Sequence, residues 1–368
     1  MVAHLQKSYT IIAGTFTSFI NTYSFNDPGC FGTPSISLVG QSAYAQAGWV
    51  ELHPNNASIL FSAIHTEPGY VASYLIDSNG LLKQFSNTSS SGNDPPHLLV
   101  MQTGREVVVP NYGSGNVQSH YLAEDELTFI GSSNVVTLQG SGPNPTRQGA
   151  PHPHQAVKYE NEVLVPDLGS DKVWRLTKSG TNWLISGFIQ QPFGTGPRHI
   201  VPFGDNLYTL HELSSTLTAQ TIPPLGSSTP PQLLANLSTL PTDIPANSTY
   251  GAAELELTPV SESFPKRYLL ASNRNVSPSP SAIDPRGDTI GIFEVEPDLR
   301  LVKQVYTGLQ QIRGMKIGGD KGQYVIAAGL TGGGVAVFER VEGGTNLKLL
   351  ARYTTPGSSE SVVSFVWL

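Results

Sequence analysis

The chain has 368 residues and a formal net charge of −7, with 39% apolar residues, only 13% charged ones, 37 glycines, 28 prolines and one cysteine. With no Lys/Arg run, this balance argues against nucleic acid and anionic membrane surfaces as partners; the lone Cys30 excludes an internal disulfide framework, and no apolar run approaches the roughly 18 residues of a membrane span. Gly, Pro, Ser, Thr and Asn take the place of the missing charge, a composition of short strands joined by tight turns, and no long window repeats apolar residues at i, i+3, i+4 and i+7, so almost no helix is expected.

In chain order, YTIIAGTFTSFINTYSF (9–25) reads as two strands, and Cys30 follows in the turn-like DPGCFG. GWVELHPNNASILFSAIHTEPGYVASYLI (48–76) is the first complete unit. It has a short strand, a polar turn, a more apolar strand, a second turn and a third alternating strand. The same order recurs in HLLVMQTGREVVVPNYGSGNVQSHYL (97–122), in QGAPHPHQAVKYENEVLVPDLGSDKVWRL (148–176) and in RHIVPFGDNLYTLHELSSTLTAQTI (198–222). It recurs again from 253 to 295, around a Pro/Ser-rich insert at 277–284, and in 313–341. The units stand roughly 45–60 residues apart, and that period with strands alone predicts propeller blades.

Six units are complete, and a seventh is expected to be split. Residues 9–25 would supply its inner strands and SESVVSFVWL (359–368) one more, closing the ring and removing an exposed sheet edge. The expectation is therefore an all-β, seven-bladed β-propeller forming a single domain over 1–368, and a monomer, since a closed ring leaves no edge to pair. Residues 223–249, PPLGSSTPPQLLANLSTLPTDIPANST, read as a long Pro/Ser-rich loop insert, either a surface loop or a cover over the central funnel.

Sequons occur at Asn56, Asn87, Asn236, Asn247 and Asn275, in stretches that read as loops. Asn275 is set aside because Ser277-Pro278 is a poor acceptor context, which leaves the other four as candidate glycosylation sites. Loop placement and low lysine content favour a secreted protein; MVAHLQKSYT has no apolar signal core, so a signal would have been removed. The alternative is cytoplasmic.

Polar residues at matching places in several units mark the candidate site. His154 opens HQAV, Arg198 opens RHIV, Glu212 ends the strand in LYTLHELSST, and Arg274 ends the matching strand in LLASNRN. Asn111, Tyr112 and Asp167 hold comparable strand ends; Asp167 before Leu-Gly reads as a turn cap. Two arginines can grip carboxylates or phosphates, while a histidine and a glutamate can move protons. The set suits a small anionic substrate, and the candidate substrate contacts are Arg198, Arg274, His199, Asn111, Tyr112 and His152. A zinc site from His152, His154 and His199 or His211 is the rival. It is set aside because prolines hold the His pair and no carboxylate cluster accompanies it, so no metal is expected. GSGN (113–116) is a hairpin turn and not a phosphate loop, since no helix follows it.

PNYGSGNV, PHPHQAV, VPDLGSDKV, GPRHIV, LYTLHELSST and LLASNRN, in this order, make the chain resemble the lactonase family of seven-bladed propellers, which includes 6-phosphogluconolactonases and fungal 3-carboxy-cis,cis-muconate cyclases. The resemblance implies a cofactor-independent enzyme. On its muconate-cyclase branch a substrate carboxylate adds to a double bond and carbon is protonated. The family's catalytic set falls on His154, Arg198, Glu212 and Arg274, with the arginines binding carboxylates and His154 and Glu212 handling protons. The leading expectation is a lactonising enzyme of this type. The alternatives are a lactone hydrolase of gluconolactonase type and a secreted binding propeller without chemistry.

Overall fold

A computed structural model describes residues 6–355 and 361–368. Met1 to Leu5 of the stretch read for a signal, and Ser359 and Glu360 of the expected C-terminal strand segment, lie outside them. The chain is an all-β, seven-bladed β-propeller: seven antiparallel sheets, six of four strands and one of five. Among the described residues, helix is confined to three 3-10 turns, Gly29–Phe31, Pro280–Ala282 and Glu342–Gly344. No helix among the described residues is long and apolar enough to cross a membrane.

The second blade holds Ala47–His53, Asn56–Ile64, Tyr70–Ile76 and Leu82–Ser89. The third holds Leu99–Val100, Glu106–Asn111, Asn116–Leu122 and Phe129–Ser132, with Val136–Thr137 added beside Asn116–Leu122. The fourth holds Val157–Tyr159, Glu162–Asp167, Lys172–Ser179 and Asn182–Gln190, and the fifth Pro197–Phe203, Asn206–His211, Thr216–Thr221 and Leu233–Ser238. These four blades form one compact unit. The other contains the sixth blade (Tyr250–Leu257, Tyr268–Asn275, Thr289–Glu294, Arg300–Tyr306), the seventh (Gln310–Gly318, Tyr324–Gly332, Val335–Val341, Asn346–Tyr353) and the first.

The first blade joins the termini as expected, with one correction. Val362–Trp367 pairs with Lys7–Thr15 (Ile11 opposite Trp367, Ala13 opposite Phe365) and takes the place that the first strand takes in the other blades. Residues 9–25 therefore supply the second and third strands, not the innermost. Trp367 seals the joint, its ring 5.7 Å from Tyr9 and stacked 6.2 Å from Tyr324.

Burial explains why the middle strands read as unbroken apolar runs. Every residue of Glu162–Asp167 is buried, and its side chains alternate between two cores. Val163 and Val165 pack with Val108, Val117 and Trp174 on the third-blade side, and Leu164 packs with Ile200 and Leu207 of the fifth blade. Fourth strands keep one face in solvent and alternate instead, as Leu82–Ser89 does.

The expectation for 223–249 needs the same kind of correction. Leu233–Ser238 is the fourth strand of the fifth blade, paired with Thr216–Thr221 (Thr216 opposite Ser238), so the segment is not all loop. Prolines and serines on either side hide this strand, and its largely exposed residues weaken the alternation. Ahead of it, residues 223–231 run along the outer edge of the fourth blade, where Arg175 Nη1 donates to the Pro223 carbonyl at 2.6 Å.

Asn56, Asn87, Asn236 and Asn247 are all exposed, but only Asn247 lies in a loop; the others sit on strands. Asn275 is buried, its amide donating to Ala282 O at 2.7 Å, so the chain itself occupies a glycan's place there.

Two buried histidines set an acid limit. Burial pushes the His120 imidazole down to about 4 and that of His211 down to about 3. An unfolded chain takes up these protons near pH 6.5, so the stability they contribute is complete above pH 6.5 and is lost as pH falls through about 4 and about 3. Urea midpoints measured from pH 7 to 4 are expected to fall, and to fall less steeply in His120→Gln and His211→Gln. Parallel pH profiles would refute the assignment.

Candidate active site

The site is built on strand ends of the four-blade unit. The Asp167 carboxylate, fully buried, ties the PHPH segment to the turn of the fourth blade. Its Oδ1 accepts from the backbone N–H groups of His152 (2.6 Å), Gly169 (3.0 Å) and Ser170 (3.3 Å). Its Oδ2 accepts from the Ser170 hydroxyl (2.5 Å) and the Trp174 indole (2.9 Å). The turn-cap reading of Asp167 therefore holds. Pro153 bridges to Asp167, and the His154 N–H donates to Pro166 O at 3.0 Å. His154 is buried, its ring 5.2 Å from that of His199 and 6.0 Å from that of Tyr112. His152 stacks on Tyr112 at 4.5 Å, and its Nδ1 lies 2.9 Å from Tyr112 O.

Beside these rings lies a buried carboxylate between two guanidinium groups. Arg198 Nε is 3.1 Å from Glu212 Oε2, and Arg147 Nη2 is 2.6 Å from Glu212 Oε1. Arg147 also reaches the Tyr112 hydroxyl at 3.4 Å. Burial acts to lower the Arg147 pKa; the Glu212 charge and Tyr112 outweigh it and raise it. The Arg198 side chain is 3% exposed and that of Arg147 42%, so Arg147 is the cation an incoming anion meets first.

Asp171 supports this cluster from behind. It is fully buried, in left-handed backbone at φ 52°. Its Oδ1 accepts from Gln148 Nε2 (2.8 Å) and the Gly196 N–H (2.9 Å), and its Oδ2 from the Gly194 N–H (2.7 Å). Gly196 O in turn accepts the Glu212 N–H at 2.8 Å. Gly196 is itself left-handed at φ 65°, and a Cβ there would stand 2.6 Å from Leu213 Cγ, so the position that leads into the Arg198 strand and holds the Glu212 N–H admits little but glycine.

The structure thus gathers His154, Arg198, Glu212, His199, Tyr112 and His152. Asn111 is fully buried, with its amide nitrogen donating to Ser90 O (2.9 Å) and Asn116 Oδ1 (2.8 Å). Arg274 ends the second strand of the sixth blade in the other unit. Its Nε and Nη2 donate to the carbonyls of Gly251 (3.4 Å) and Ala252 (3.2 Å). Nearby, burial pushes Asp288 up to about 6 despite the Arg274 charge. His211 Nε2 pairs with Thr218 Oγ1 at 2.9 Å. Among the described residues, no group of three or more His, Cys, Asp or Glu side chains could hold a metal ion.

Sequence reasoning missed Arg147, which sits in a polar loop with no repeat signal. It also missed Trp49 and His97, whose rings lie 4.1 Å apart and 5.9 and 6.1 Å from His199. A signal for His97 was present: HLLV, HQAV and RHIV place His97, His154 and Arg198 three residues ahead of a first-strand valine in consecutive blades.

Fold and site together define a propeller protein with a buried arginine–carboxylate cluster walled by histidines. The sequence model of the family described as "Lactonase, 7-bladed beta-propeller" matches residues 10–365. The chain belongs to that lactonase family. A probable 6-phosphogluconolactonase of Arthroderma benhamiae is 30% identical over 341 residues, covering 88% of this chain and 80% of the relative. The 6-phosphogluconolactonase of Bacillus subtilis is 28% identical over 82% of each chain. The solved structure of a periplasmic gluconolactonase of Pseudomonas aeruginosa, 21% identical, matches with a TM-score of 0.80 over 98% of this chain and 99% of its own, showing the common fold.

Proposed function

We propose that the protein hydrolyses the lactone of a small sugar acid, most readily one carrying an anionic group. The carrying observation is the buried Arg198–Glu212 pair, capped by the half-exposed Arg147, beside His154 in a chain of the lactonase family. The names of the relatives favour this hydrolase alternative over the lactonising reading. In the reaction, water attacks the ester carbonyl, the bond from acyl carbon to ring oxygen breaks, and the ring oxygen takes a proton. The acid product then ionises, releasing one proton per turnover. An imidazole can take the proton from water and return it to the leaving oxygen at neutral pH, a role for His154. Arg198 and Arg147 supply charge-assisted N–H donors for oxyanion or phosphate, and Glu212 sets their position. The resemblance also assigns substrate binding to Arg274, whose surroundings are those of the sixth blade.

The test is proton release with 6-phosphoglucono-lactone and glucono-lactone, corrected for spontaneous opening, and diene absorbance with 3-carboxy-cis,cis-muconate. Acid release above background is expected, faster with the phosphorylated lactone. Loss of the diene alone would return the reading to a cyclase, and no turnover at all would leave a binding propeller. Secretion is proposed from the four exposed sequons, and a glycosidase-sensitive shift in mass of the native protein tests it.

A further inference from the structure

We infer that Trp49 is a stacking platform for the substrate ring and that His97 holds it in position, which makes the substrate a cyclic sugar lactone in preference to a flat, triply charged diene acid. The inference rests on the lactone-hydrolase reading above.

The first strands of four consecutive blades bring one ring each to a single cluster. Trp49 comes from Ala47–His53, His97 from just ahead of Leu99–Val100, His154 from just ahead of Val157–Tyr159, and His199 from Pro197–Phe203. The contacts are continuous: Trp49 to His97 4.1 Å, Trp49 to His199 5.9 Å, and His199 to His154 5.2 Å. Arg198, the residue before His199, carries the ion pair to Glu212, so the wall runs from the anion-binding end to Trp49.

The three histidines are buried, whereas Trp49 keeps part of its surface open. The rest of the indole is held by its neighbours. It packs against the core of Ile59, Phe61 and Val100, its N–H points to Glu51 Oε2 at 3.5 Å, and the His97 ring lies over it at an interplanar angle of 36°. An aromatic face is the negative end of a quadrupole. It attracts the weakly positive C–H groups of a sugar ring and repels a conjugated tricarboxylate. His97 occupies the repeat position of His154 but faces Trp49, so its role is positioning and not proton transfer.

The experiment combines steady-state kinetics on glucono-lactone with a titration of intrinsic fluorescence by gluconate, the product acid. Stacking of this kind is worth about tenfold in binding. Trp49→Ala is expected to raise KM about tenfold with kcat within about twofold, and Trp49→Phe to recover most of the loss. Gluconate should quench the wild-type emission and leave that of Trp49→Phe unchanged, since the other three tryptophans remain. His97→Asn should raise KM, spare kcat and reduce the quench. If the wild type turns over lactone but Trp49→Ala keeps its KM, or the quench persists in Trp49→Phe, the platform is wrong while the hydrolase reading stands. If the wild type opens no lactone, both fall together.

Discussion

Glu212→Gln is expected to cut turnover by about 10²-fold or more, the usual cost of losing a positioned acid or base group or its electrostatic partner. The substitution keeps the shape of the side chain and removes its charge. Arg198, buried with its Nε 3.1 Å from Glu212, and Arg147, at 2.6 Å, then lose the anion that aims them both. Removing one partner of a buried pair also costs about 3–5 kcal/mol, because the other charge stays buried. Thermal unfolding must therefore accompany the kinetics, with rates taken well below the variant's midpoint. His154→Ala is expected to lose a similar factor, and its unfolding must be followed in the same way because the ring it removes is buried against His199 and Tyr112. Near-wild-type rates in both variants would refute the site.

Asp171→Ala should be among the most destabilising single changes in the four-blade unit. It strips the acceptor from three donors, the buried Gln148 amide and Gly196 N–H and the half-buried Gly194 N–H. Each orphaned donor costs about 1–3 kcal/mol, so the sum is several kcal/mol, read as a lowered urea midpoint. The damage also has a direction. Gly196 O holds the Glu212 N–H, so a loosened 194–196 turn moves Glu212 and Arg198 together, and kcat/KM falls at temperatures where the variant is still folded. Asp171→Asn retains one acceptor oxygen and tolerates left-handed backbone, and it should recover part of both losses. An unchanged urea midpoint in Asp171→Ala would show that the turn is held by other means.

Much of the architecture was legible because a blade is local. Its strands are joined by short turns, so each hairpin writes its period and its Gly/Asn/Asp turn into one stretch of sequence, and the repetition of that stretch marks the blades. The same repetition marked His154 and Arg198 at strand starts and Glu212 at a strand end. In the third blade it marks His97 as well, three residues ahead of the first-strand Val100. Asp167 was readable as a turn cap because all its partners lie within 15 residues.

The amino-acid sequence by itself determined the all-β class, the seven-blade count and the shared terminal blade, and it pointed to most of the polar residues of the candidate site. Only the tertiary structure decided that Val362–Trp367 takes the first-strand place and that Leu233–Ser238 completes a blade within a Pro/Ser-rich stretch. It alone brought Arg147 to Glu212 across 65 residues and Trp49 to His97 and His199. Strand and turn signals arise from neighbouring residues and can be read along the chain, whereas the site is closed by loops from different blades whose meeting depends on how the blades pack.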